Sequence, residues 1–202
     1  MRRGLQSGSY SYPFVEPFTA PIPDGDAGTT QTIRWMKALV RGSKGVHSWV
    51  VRQAALEAVR GVERGMPEID SVYNWVKDNI EFRGEYGETL QSPEATLNLG
   101  AGDCDCQSIL IAALLQCLGY ETDFKTVALD GDADEYSHVY LEVRDKQTGQ
   151  WISLDATVQR AYPGWEPEDI ARSATYGPMR PSSGMSAESL VGVVFLALGF
   201  LL

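Results

Sequence analysis

Residues 102–119 read GDCDCQSILIAALLQCLG. From Ile109 to Leu118 only Gln116 is strongly polar, so a helix here is apolar almost all round. Such a helix has no wet face and belongs in the middle of a fold, packed on several sides. Gly119 is the residue type that ends helices. Asp103 is a good N-cap, which puts Cys104 in the first turn, where unpaired N–H groups and the helix dipole favour a thiolate. The same N–H groups suit a developing oxyanion. Asp103 and Asp105 work against the thiolate, because neighbouring carboxylates disfavour a further negative charge. A reactive Cys104 therefore needs a cationic partner.

Downstream of Gly119 the hydrophobic period changes to two. Thr122 to Leu129, Tyr136 to Arg144 and Gln150 to Ala156 read as three strands. In the second, Val139, Leu141 and Val143 alternate with His138, Tyr140 and Glu142. The polar stretch Asp145-Lys146-Gln147-Thr148-Gly149 reads as a hairpin turn. A turn centred between Lys146 and Gln147 sets His138 directly opposite Asp155, with Cβ atoms roughly 4.5–5.5 Å apart. Asp155 then fixes the imidazole and stabilises its charged form, leaving the other ring nitrogen for Cys104. A slip of one residue in register would separate the pair.

Upstream, helical periodicity begins near Thr30, with Ile33, Met36 and Val40 on one side. A second helix is expected from Ser48 to about Val62. A third follows Pro67, with Ile69, Val72, Tyr73, Val76 and Ile80 at helical spacing. Ser92-Pro93 opens a short helix that stops near Leu99-Gly100. Residues 6–28 hold four prolines and no helical period, so residues 1–29 read as an extended arm. The expected organisation is one α+β domain over residues 30–165, a peripheral Pro- and Gly-rich wrap over 166–189, and an apolar tail over 190–202. In that domain the Cys104 helix packs on a small antiparallel sheet carrying His138 and Asp155.

The chain has 202 residues, 44% of them hydrophobic and 22% charged, enough for one domain with a sizeable core. Its formal charge of -10 argues against a nucleic-acid partner. Three cysteines do not make a disulfide framework and favour a reducing compartment. The basic start, Met1 to Gly4, is followed by polar residues without the apolar core of a signal peptide. Leu190 to Leu202 is apolar throughout but shorter than the roughly 20 residues of a spanning helix. It suits docking on lipid or on another protein.

Three motifs carry a resemblance. The run from Gly102 to Tyr120 resembles the nucleophile segment of the transglutaminase-like superfamily. Tyr136 to Val143 resembles its histidine strand, and Trp151 to Thr157 its aspartate strand. Gln91 to Leu97 and Pro163-Gly164-Trp165 are similar to versions found in bacteriophage and prophage genomes. The resemblance spans roughly residues 30 to 165. It implies a papain-like cysteine-proteinase fold with Cys104, His138 and Asp155 as a Cys-His-Asp catalytic triad acting on a peptide or protein substrate. The implied activity is amide or isopeptide hydrolysis, or transglutaminase-type acyl transfer, with no cofactor. The phage likeness implies a site of action in the bacterial cytoplasm or the virion. It also raises the alternative of a particle or assembly protein that keeps the fold and docks on phage structural proteins through its arm and tail. Many relatives carry an acidic residue where this chain has Cys106, which is then packing, a resolving thiol or part of a divergent site.

Other signals are weaker. Cys104, Cys106, Cys117 and His138 cannot share one zinc ion, because Cys117 lies roughly 16–20 Å along the helix from the other cysteines. Asp130 to Asp134 opens like a calcium loop, but Glu135 stands where that loop needs Gly and Leu141 where it needs Glu. Gln91 is a weak candidate for an oxyanion-side group, and His47 reads as part of a helix start.

Overall fold

A computed structural model describes residues 22–84, 89–129 and 134–181. The arm before residue 22, the wrap beyond 181, the apolar tail 190–202 and residues 130–133 of the calcium-like turn lie outside the described residues.

The Cys104 helix α5 (Cys104–Cys117) is the axis of the molecule. Every residue from Cys106 to Cys117 is buried, as an all-round apolar helix requires. Around it pack α1 (Gly25–Arg41), α2 (Trp49–Ala58), α3 (Met66–Asn79) and the short α4 (Pro93–Leu99). Each turns one apolar stripe inward: Ile33, Met36 and Val40 from α1, and Ile69, Val72, Tyr73 and Val76 from α3. Ser92 caps α4 by accepting from the Ala95 N–H, and Gly100 ends it in the left-handed conformation. A two-residue parallel pairing of β1 (Glu81–Phe82) with β2 (Ala101–Gly102) leads into α5.

The other side of α5 is covered by a four-stranded antiparallel sheet in the order β5-β4-β3-β6, built from β3 (Glu121–Ala128), β4 (His138–Arg144), β5 (Trp151–Leu154) and β6 (Arg172–Thr175). Phe124, Val139, Leu141, Val143 and Leu154 join the core with α5. His138, Tyr140 and Glu142 alternate with them onto the opposite face.

Three expectations are corrected. First, α1 begins at Gly25, not near Thr30, so residues 25–29 are not part of an extended arm. Gly25, Gly28 and the β-branched Thr29 and Thr30 hide the helix from propensity. Gly28 is nonetheless required, because a Cβ there would lie 1.8 Å from the Pro23 carbonyl oxygen. Second, the wrap contributes β6, which pairs along β3 from Thr175 opposite Lys125 to Arg172 opposite Ala128. An edge strand without a strong apolar alternation gave no signal. Third, the hairpin register differs by two residues. Arg144 pairs with Trp151 and Leu141 with Leu154, because the Asp145 carboxylate gathers the Gln147 and Thr148 N–H groups and the Thr148 hydroxyl into a longer loop. Gly149 closes that loop at φ 72°. A two-residue shift keeps every side chain on its own face, so His138 and Asp155 still share one.

Candidate active site

Cys104 is the first residue of α5, and Asp103 caps the helix by accepting from the Cys106 N–H at 3.0 Å. Gly102 is dictated by packing, since a Cβ there would meet the Cys106 Cβ at 2.6 Å. The half-buried Cys104 opens into a cavity of about 470 Å³ that His138 also lines. One wall comes from the N-terminal half of α1, and the other from residues 135–139.

His138 Nε2 lies 2.7 Å from Asp155 Oδ2. The two meet diagonally across the hairpin, not as a directly opposed pair, a span that longer side chains bridge. With Nε2 engaged by the carboxylate, Nδ1 is the nitrogen left for chemistry. The Asp155 side chain is 1% exposed and that of His138 14%. Burial alone would raise the Asp155 carboxyl, but hydrogen bonds from His138 and Thr157 and the charge of His138 outweigh it and hold the group below the usual carboxylate range. Its second oxygen, Oδ1, accepts from the Thr157 N–H at 3.1 Å and the Thr157 hydroxyl at 2.7 Å.

The thiol itself departs from the helix-terminus expectation. Burial, then the charges of Asp105 and Asp103, push Cys104 up to about 12, against smaller opposing pulls from the Val139 and Asp105 backbone N–H groups. The helix terminus does not win here, because removing the sulfur from water disfavours the thiolate more than the dipole favours it. Burial therefore favours the protonated thiol at Cys104.

Two supports escaped sequence reading. Tyr73 on α3 sets its hydroxyl 2.9 Å from the Asp155 carbonyl oxygen and 2.7 Å from that of Ala161. Lys77, one turn on, donates to the carbonyls of Val158, Gln159 and Ala161 at 3.1, 3.0 and 3.0 Å. Together they tie the loop after Asp155 to α3. Tyr73 lies on the apolar stripe and Lys77 reads as a wet-face residue, so neither announces this role. Glu166 braces the other flank, where its carboxylate accepts from Lys125 at 2.5 Å, Ser153 at 2.6 Å and Tyr140 at 3.1 Å. The Tyr140 ring lies 6.1 Å from that of His138.

The remaining candidates sit apart from the cavity. Cys106 is fully buried and its Sγ lies 3.5 Å from the Thr89 carbonyl oxygen, a packing position. Cys117 is at the far end of α5, with its Sγ 3.7 Å from the Val46 carbonyl oxygen. The Gln91 side-chain oxygen accepts from the Thr96 hydroxyl, and His47 is exposed just before α2. Among the described residues no helix is long and apolar enough to cross a membrane.

The core model of the transglutaminase-like superfamily matches residues 52–156, which include Cys104, His138 and Asp155. The chain belongs to this superfamily. Two solved structures are similar. One is a Cytophaga hutchinsonii protein provisionally assigned as a cysteine protease, with 17% identity, a TM-score of 0.48, and coverage of 71% of this chain and 54% of that one. The other is a Parabacteroides distasonis protein provisionally assigned as a protease, with 11% identity, a TM-score of 0.49, and coverage of 71% of this chain and 31% of that one. The chain thus spans about half and a third of their respective lengths. No curated protein sequence matches significantly. Membership of this superfamily supports a cysteine-dependent hydrolase or transferase in general.

Proposed function

We propose that the protein is an acyl-transfer enzyme in which Cys104 is the nucleophile, His138 the general base and Asp155 its orienter. The observation that carries this reading is the 2.7 Å contact of Asp155 with His138 Nε2, on a ring that shares its cavity with Cys104. As the Cys104 sulfur bonds to an amide or isopeptide carbonyl carbon, its proton passes to His138 Nδ1. The imidazolium then returns that proton to the departing amine as the C–N bond breaks. Water or a second amine, deprotonated by the same ring, cleaves the thioester and frees Cys104. The Asp105 and Val139 N–H groups face the sulfur and are assigned here as donors to the developing oxyanion. A raised thiol makes this a general-base mechanism, not one that starts from a stable thiolate–imidazolium pair.

Hydrolysis of a peptide or protein is the reaction favoured here over transfer to a second amine. Phage or prophage origin, and the alternative of a particle or assembly protein, rest on the sequence likeness of residues 91–97 and 163–165 alone. The chemical reading is tested by the rate at which iodoacetamide alkylates Cys104 at neutral pH, followed by peptide mass spectrometry. The wild-type protein should react about a hundredfold faster than the His138→Ala variant. Equal rates in the two would remove His138 as the base.

A further inference from the structure

We infer that the cleft selects a substrate segment bearing a positive charge, a lysine- or arginine-containing peptide, beside the bond that Cys104 attacks. This rests on the acyl-transfer reading and names the substrate class for that site. Among the described residues, four carboxylates line the cavity (Asp24, Asp103, Asp105 and Glu135) and no lysine or arginine does. Asp24 precedes α1 on one wall, Glu135 precedes β4 on the other, and Asp103 is locked beside the nucleophile by its helix cap. A segment lying across the sulfur therefore meets negative charge on both sides. A low-dielectric cleft lined by one sign of charge focuses the field and concentrates ligands of opposite sign.

The rest of the lining fits the same class. Phe82, 55% exposed, supplies apolar surface, whereas Ile33, Met36 and Val139 are buried in the core. Lysine and arginine lay an aliphatic stem on apolar surface while the charged head reaches a polar group, which is the mixture this cleft presents. A peptide with a glutamate or a free carboxylate at the same place would bring like charge to like charge. Arg172, which stacks on Tyr136 at 4.6 Å, is not a lining residue and is ion-paired with Asp26. The sulfur itself registers the field, since the charges of Asp105 and Asp103 both hold its proton on.

Charged thiol reagents test this without a known substrate. Rates of Cys104 modification by cationic 2-aminoethyl methanethiosulfonate and anionic 2-sulfonatoethyl methanethiosulfonate are measured by peptide mapping. Their ratio is divided by the same ratio for free 2-mercaptoethanol. Carboxylates several ångströms away should raise the normalised ratio about tenfold or more. Raising salt to about 0.5 M should lower it severalfold. The Asp24→Asn/Glu135→Gln double variant, changed at two exposed positions outside the proposed triad, should lower it about threefold. A normalised ratio within about twofold of unity at low salt, or one that neither salt nor the double variant changes, overturns the inference. Alkylation by neutral iodoacetamide in wild type and His138→Ala separates the two levels. A His138-dependent rate without cation preference ends the inference alone, and a His138-independent rate ends the reading beneath it.

Discussion

Replacing Asp155 with asparagine changes one atom and should abolish most of the chemistry. In the native site Asp155 Oδ2 faces His138 Nε2 at 2.7 Å, while Oδ1 accepts from the Thr157 N–H and hydroxyl at 3.1 and 2.7 Å. Two donors already claim the Oδ1 position, so asparagine must keep its oxygen there and turn its NH₂ toward the ring. An NH₂ donor requires Nε2 to be an unprotonated acceptor, which moves the ring proton to Nδ1. The nitrogen meant to receive the Cys104 proton then carries one of its own. In the serine-protease triad the equivalent tautomer error costs about 10⁴ in kcat, and a loss of about 10³–10⁴, or roughly 4–5.5 kcal/mol of barrier, is expected here. The assay is acylation of Cys104 by p-nitrophenyl acetate at neutral pH, with the ring tautomer read from nitrogen NMR of His138. Because the shape and the Thr157 bonds persist, the melting temperature should change little. A variant that acylates within about threefold of wild type while folded would refute both the tautomer argument and the role given to Asp155.

Lys77→Met should lower stability by about 2 kcal/mol, a melting shift of roughly 4–8 °C, as charge-assisted bonds to three carbonyls are lost. Lys77→Arg should recover part of it, and a calorimetric scan decides. Gly28→Ala should cost about 1–3 kcal/mol in denaturant titration, since its Cβ would strike the Pro23 carbonyl at 1.8 Å. For pH, the relevant groups are raised: Cys104 and Cys117 each from 9.0 to about 12. A raised group favours the fold fully below its unfolded value and loses that contribution as pH climbs through the folded one. Urea midpoints should therefore hold up to about pH 9 and fall steadily toward pH 12, and a midpoint that rises across that interval would contradict the buried thiols.

What could be read in the sequence was what burial writes into it. The Cys104 helix has no polar stripe, and no other environment suits it. The shared face of His138 and Asp155 followed from strand parity, which survives an error of two residues in the turn. What could not be read depends on side chains acting out of character. The Asp145 carboxylate lengthens the hairpin loop, a glycine-rich segment is helical because it packs against Pro23, and a tyrosine in an apolar stripe spends its hydroxyl on the Asp155 backbone. The thiol's raised pKa was equally hidden, because burial of one sulfur is a tertiary property, whereas the helix dipole is a local one.

That the Cys104 helix is enclosed on all sides has a consequence, on the proposed reading, for how selectivity can change. Cys104 is mounted on the least replaceable part of the molecule, where a substitution over most of the helix disturbs several packed neighbours at once. The facing walls, at the start of α1 and the approach to β4, include exposed positions such as Asp24 and Glu135. On the acyl-transfer reading, selectivity can thus change through such surface positions while the Cys104 helix stays fixed.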